Sequence, residues 1–158
     1  VDRLVVVSFL AEQPPGQTFA PSRWPLHVTL VPPFSVEAGT SVVADVVAET
    51  AASHRRTEVR ARETAMFGRR RDVEVTVLEL SDELAALHDD LVVELDALGA
   101  GVRERPHTAR GFRPHVTVRG ADRVAVGDTV EIGSVSLVDQ RPDGRQDARR
   151  VLGTWAIG

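Results

Sequence analysis

The 158-residue chain contains no cysteine and no lysine. Without thiols it has no disulfide, no thiolate ligand for zinc and no cysteine nucleophile. Without lysine it has no Schiff-base chemistry, since all 19 basic residues are arginine. It also lacks any apolar run near the roughly 20 residues that a membrane-crossing helix needs. Leu4–Ala11 follows Arg3 in the manner of a secretory leader, but it has no small-residue cleavage pattern and Glu12 closes it early. A buried first strand is the expectation, in a soluble, cytoplasmic protein. The net charge of −4 argues against a protein that holds nucleic acid by its overall charge. Charge is nevertheless uneven. Residues 103–123 carry Arg103, Arg105, Arg110, Arg113, Arg119 and Arg123 against only Glu104 and Asp122.

What is present is an ordinary globular composition, 42% hydrophobic and 27% charged, long enough for one domain or for two small lobes. Leu4–Leu10 reads as a β-branched central strand. The Pro14-Pro15-Gly16 cluster is a turn, and Pro32-Pro33 are expected to end the strand before them, because neither donates a ladder hydrogen bond. Val42, Val43, Val46, Val47 and Ala51 recur at helical spacing after an N-cap expected at Thr40 or Ser41. Thr57–Met66 and Val73–Leu80 alternate and read as a hairpin joined by Phe67–Asp72. Ser81 or Asp82 caps a second helix with a Leu84, Leu87, Leu91, Leu95, Leu98 stripe, stopped by Gly99 and Gly101. Further strands are expected over Thr129–Asp139 and Arg150–Ile157. Helices and strands do not alternate, so the fold class is α+β with largely antiparallel sheets.

Two stretches echo one another: Pro25-Leu26-His27-Val28-Thr29-Leu30 and Arg113-Pro114-His115-Val116-Thr117-Val118. In a strand, residues two apart share a face, so His27 and Thr29 lie on one side with Val28 and Leu30 on the other. The second copy repeats the arrangement with His115, Thr117, Val116 and Val118. The spacing of 115 − 27 = 88 residues puts the copies at comparable places in two halves of the chain. If the polar faces meet, two imidazoles can take a proton from one atom and give one to another, beside hydroxyl donors suited to a phosphoryl or acyl oxygen. Such a site needs neither metal nor covalent nucleophile. Two independent surface strands are the alternative, as is a zinc site, although no carboxylate accompanies either motif. His54 and His88 read as surface residues, and His107 sits in the arginine-rich loop. Phe67 and Trp24 are either core aromatics or base-stacking walls. Arg110 and Arg113, beside His115, join Phe67 as candidate substrate contacts.

The paired motifs resemble the 2H phosphoesterases, a family that includes bacterial 2′-5′ RNA ligase-like proteins and cyclic nucleotide phosphodiesterases. Weaker echoes are Phe67-Gly68 before a strand, Gly133–Leu137 after the second motif, and the terminal Thr154–Ile157. The resemblance implies a bilobal, pseudo-twofold pair of sheets, with helices packed outside and a central cleft, spanning residues 1–158 as a single domain. It implies that His27 and His115 are general acid and base at a phosphodiester and that Thr29 and Thr117 bind the phosphate, without a cofactor. The implied substrate is a nucleotide or RNA end bearing a cyclic phosphate or a 2′-5′ linkage. The expected reaction opens a 2′,3′-cyclic phosphate; 2′-5′ ligation or cleavage, or binding with little turnover, is the alternative. A monomer is expected, with no membrane association.

Overall fold

Leu4–Phe9 forms β1, whose six residues are all buried, as its apolar, β-branched sequence requires. The computed structural model describes residues 2–158. After β1 come a two-residue edge strand β2 (Thr18–Phe19), β3 (His27–Phe34) and helix α1 (Thr40–Ala52). The hairpin of β4 (Thr57–Phe67) and β5 (Val73–Leu78) leads to helix α2 (Asp82–Asp96). The chain ends with β6 (His115–Thr117), β7 (Thr129–Ile132), β8 (Ser134–Asp139) and β9 (Arg149–Ala156).

All the strand pairs are antiparallel. Their order is β2-β9-β8-β1-β3-β6-β5-β4-β7. The expected pair of sheets therefore meets edge to edge at β3 and β6. On one side of that seam lie β1, β8 and β9; on the other lie β5, β4 and β7. Each half presents its motif strand at the centre, which is the pseudo-twofold relationship that the resemblance implied.

One face of the sheet packs against both helices. Val28, Leu30 and Val116 from the motif strands join Val43 and Val47 of α1 and Leu84, Leu91 and Leu95 of α2 in one buried cluster. The opposite face of the first half holds a smaller cluster of Val5, Val7, Phe9, Val138 and Val151, flanked by Phe19 and Trp24. Alternation thus does what the sequence asks: the valines anchor the strands beneath, and the histidines and threonines emerge on the other side.

Four expectations need correction. β3 continues through Pro32 and Pro33 to Phe34. The register with β1 shifts between Leu4 and Val6, opposite these prolines, and β6 reaches only the start of β3. The prolines occupy a bulge where no second ladder demands their missing donors. The expected Thr129–Asp139 strand is two strands broken at Gly133: β7 pairs with β4 at one edge, while β8 pairs with β1 in the other half. Gly133 sits at the break, beside the exposed Arg56 and Glu131 side chains. The N-cap of α1 is Gly39, with no side-chain cap, whereas Ser81 caps α2 by accepting from the Leu84 amide as expected. Finally, His54 and His88 are not surface residues. His54 is half-buried and bonds Asp90 at 2.7 Å, tying the end of α1 to α2, and His88 is only 1% exposed.

Among the described residues, no helix is long and apolar enough to cross a membrane.

Candidate active site

The two motif strands pair with each other, and they do so with Val28 opposite Val116. Antiparallel register then sets His27 across from Thr117, and Thr29 across from His115. The four polar side chains form one diagonal quartet on the face away from the helices. Neighbouring strands frame it: Phe9 and Val7 of β1 stand beside His27 and Thr29, and Val77 and Val75 of β5 stand beside His115 and Thr117.

Both imidazoles are held in the same way. Nδ1 of His27 donates to the Pro25 carbonyl at 2.8 Å, and Nδ1 of His115 donates to the Arg113 carbonyl at 2.9 Å. A carbonyl can only accept, so each bond fixes the proton on Nδ1 and leaves Nε2 as the basic nitrogen. Each ring also has an aromatic neighbour. Trp24 lies 4.5 Å from His27 and Phe67 lies 4.6 Å from His115, centroid to centroid.

Burial favours the neutral rings. The pKa of His27 is pushed down to about 4, chiefly by burial, with the Arg119 and His115 charges acting in the same direction. His115 is also pushed down, first by burial and then by His107 and Arg113, against the stabilising bond to the Arg113 carbonyl.

A cleft of about 410 Å³ opens on the His115 side. Thr29 and His115 form its polar end, while Pro32, Pro33, Phe67 and Phe112 supply apolar walls. Arg105 and His107 complete the rim, and the Arg105 side chain donates to the Pro33 carbonyl. His107 stacks on Phe67 with planes 17° apart. Of the sequence candidates, Phe67 lines this cleft. Arg113 does too, but its guanidinium is paired with Glu63 at 2.9 Å and lies 5.2 Å above the Phe67 ring. Arg110 does not; it faces a separate hollow beyond Phe112. Among the described residues, no group of three His, Asp or Glu side chains is gathered as metal ligands.

Three contributors were not singled out from sequence. Arg119 follows Thr117 by two residues, so strand alternation carries it onto the same face, where its charge acts on His27. Arg105 and Phe112 belong to an irregular loop whose path no periodicity encodes. That loop is pinned by His88, which donates from Nδ1 to the Leu30 carbonyl at 2.7 Å and accepts the Ala109 amide on Nε2 at 3.0 Å.

The model of the 2′-5′ RNA ligase superfamily matches residues 14–131, a span that includes both motifs and the strands between them. The chain belongs to the 2′-5′ RNA ligase superfamily. Its paired motifs are those of the 2H phosphoesterases within it. No curated protein matches the chain at a significant level. Among solved structures, a phosphoesterase aligns with a TM-score of 0.63 at 17% identity, over 99% of this chain and 98% of the other. E. coli LigT complexed with NADP+ aligns at 0.64 and 16% identity, over 99% and 97%. TT0787 of Thermus thermophilus gives 0.63 and 18%, over 98% and 97%. At these identities the likeness is one of fold, and it extends along nearly the whole of this superfamily member.

Proposed function

We propose that the protein is a metal-independent phosphodiesterase that opens 2′,3′-cyclic phosphates on RNA ends or small nucleotides. The observation that carries this reading is the pairing of the two motif strands at Val28 and Val116. It brings two imidazoles of like tautomer and two threonine hydroxyls together on one face, a set of groups suited to a phosphate. Thr29 and Thr117 donate to the non-bridging oxygens, with Arg119 as the nearby cation. LigT, a structural neighbour, has been solved with 3′-AMP, with ATP and with phosphate, which supports a nucleotide phosphate as the ligand of this fold.

The surroundings of the two rings also support a division of labour. The apolar cleft adjoins His115 and not His27, so a nucleoside seated there puts its ribose oxygens beside His115. In-line attack then brings water from the opposite side, beside His27. His27 takes the proton from water through Nε2. The water oxygen bonds to phosphorus, one ribose oxygen–phosphorus bond breaks, and protonated His115 supplies the proton to that oxygen. The deep depression of the His27 pKa keeps this ring neutral and ready as a base. The products are one ribose hydroxyl and one phosphomonoester. The protein would work as a single domain of two lobes in the cytoplasm.

Turnover of 2′,3′-cyclic nucleotides, cyclic-phosphate-ended RNA and 2′-5′ dinucleotides, in the presence of EDTA, tests this. Hydrolysis of cyclic phosphates that His27→Ala and His115→Ala each reduce by about 10²–10⁴-fold is expected. Full activity in either variant would overturn it. Cleavage or joining of 2′-5′ linkages alone would favour the ligase-like chemistry of the same four residues.

A further inference from the structure

Residues 103–123 hold more positive charge than the catalytic quartet uses. Arg113 is neutralised by Glu63 and Arg123 by Glu74. Arg105 is bonded to the Pro33 carbonyl. Arg103 and Arg110 are different: both are exposed, and among the described residues neither is in an ion pair. They converge on a hollow of about 400 Å³ at the start of α2, together with Leu80, Asp89 and Phe112.

This hollow is the reverse side of the catalytic cleft's wall. His88 and Phe112 line both cavities. Their rings lie flat on each other, with centroids 3.8 Å apart and planes 4° from parallel. A strand leaving the cleft over the edge of Phe112 would meet two unpaired guanidinium groups. It would also meet Leu80, which is 45% exposed although it is a large apolar side chain. Cation and apolar surface side by side are what a phosphate and its neighbouring base require. The patch is cationic on a chain of net charge −4, so its sign is local. Asp89 is the single carboxylate in the lining, against two arginines.

We propose that this hollow binds the backbone phosphates of single-stranded RNA, one or two nucleotides from the end seated in the catalytic cleft. The inference rests on the phosphodiesterase reading and narrows its substrate to RNA ends. For RNA ending in a 2′,3′-cyclic phosphate, the rest of the strand lies on the side of the terminal ribose, and so on the His115 side of the phosphate. Both cavities lie on that side.

The test compares two ligands: a 2′,3′-cyclic mononucleotide and a short single-stranded oligoribonucleotide with the same cyclic end. Wild type is set beside Arg103→Gln/Arg110→Gln and beside Arg69→Gln/Arg70→Gln/Arg71→Gln, which discharges the exposed hairpin tip next to Phe67. The first variant should weaken oligoribonucleotide binding about tenfold at low salt. It should also reduce the slope of log affinity against log salt by about 1.4, the value for two phosphate contacts on a single strand. Its kcat/KM for the mononucleotide should be unchanged. Equal losses on both ligands, no loss on either, or a loss produced by the hairpin variant instead would overturn the proposal. So would polyglutamate competing as well as RNA, which would make the patch a site for acidic protein. If wild type turns over neither ligand, the phosphodiesterase reading fails, and the salt slopes for the oligoribonucleotide still decide the subsite.

Discussion

His88 and Phe112 are stacked within 4° of parallel at 3.8 Å, and His88 bridges the Leu30 carbonyl to the Ala109 amide. One imidazole therefore connects β3, α2 and the loop that leads to His115. That loop holds His107 and Ala109 at positive φ, 65° and 56°, conformations that persist only when the surroundings impose them. His88→Ala should cost about 3 kcal/mol in urea unfolding, from the lost packing and two orphaned backbone groups. It should also raise KM for nucleotides more than it lowers kcat, because the cleft wall loosens while His27 and His115 keep their own carbonyl bonds. A variant with wild-type stability and KM would show that the bridge does not shape the cleft.

The pH dependence of kcat/KM should be bell-shaped and displaced to acid. His27 must be neutral and His115 protonated in the proposed reaction. Activity should fall below about pH 4 as His27 protonates, and should fall again as pH rises through the His115 pKa, which lies below 6.5. Trp24→Ala opens His27 to water and should move the acid limb upward from about 4 toward 6.5. An optimum above pH 8 in wild type would refute the assignment.

Stability should respond to the same ring. His27 ordinarily titrates near 6.5 and in the folded protein near 4. That difference corresponds to about 3 kcal/mol favouring the neutral folded state. The contribution is fully present above pH 6.5 and is lost as the pH falls to about 4. His88 and His115 are depressed by burial as well and act with the same sign. Chemical unfolding of His27→Gln should therefore show a shallower loss of stability between pH 6.5 and 4 than wild type, in a protein that no longer turns over substrate. Parallel curves for the two proteins would mean that His27 is not desolvated in solution.

Gly153 predicts a packing effect far from the chemistry. A Cβ there would stand 2.4 Å and 2.5 Å from ring atoms of Trp155, two residues along the same face of β9. Gly153→Ala should lower stability by about 1–3 kcal/mol through overpacking. Combining it with Trp155→Leu should recover part of the loss beyond the sum of the single changes, measured as a double-mutant cycle. Strict additivity would show that the ring moves away freely.

The grouping of His27, Thr29, His115 and Thr117 on one face was legible in the sequence because its encoding is local. Alternation over four residues fixes which side chains share a face, and repetition 88 residues later pairs the two faces. The leucine stripe and the Ser81 cap of α2 were legible for the same reason. The surroundings of the quartet were not. His88 sits on the helical face that also carries Leu84 and Leu91, and only the loop folded over it makes it a buried anchor. Arg110 and Arg113 are near neighbours in sequence but face different cavities, because Phe112 between them turns into the wall. The break at Gly133 was hidden because residues on both sides of it favour strands; only the need to cross from one half of the sheet to the other separates them.

The seam at Val28 and Val116 also has a consequence for how the molecule would acquire the proposed activity. Contacts separated by that much sequence form against a large loop-closure entropy, and such pairings slow folding. Neither half can display a complete quartet, so no fragment ending before β6 holds all four side chains of the proposed site. Recovery of turnover during refolding would therefore time the joining of the halves, while circular dichroism would register the helices and outer hairpins earlier. Turnover would thus mark the moment at which the two motif strands meet.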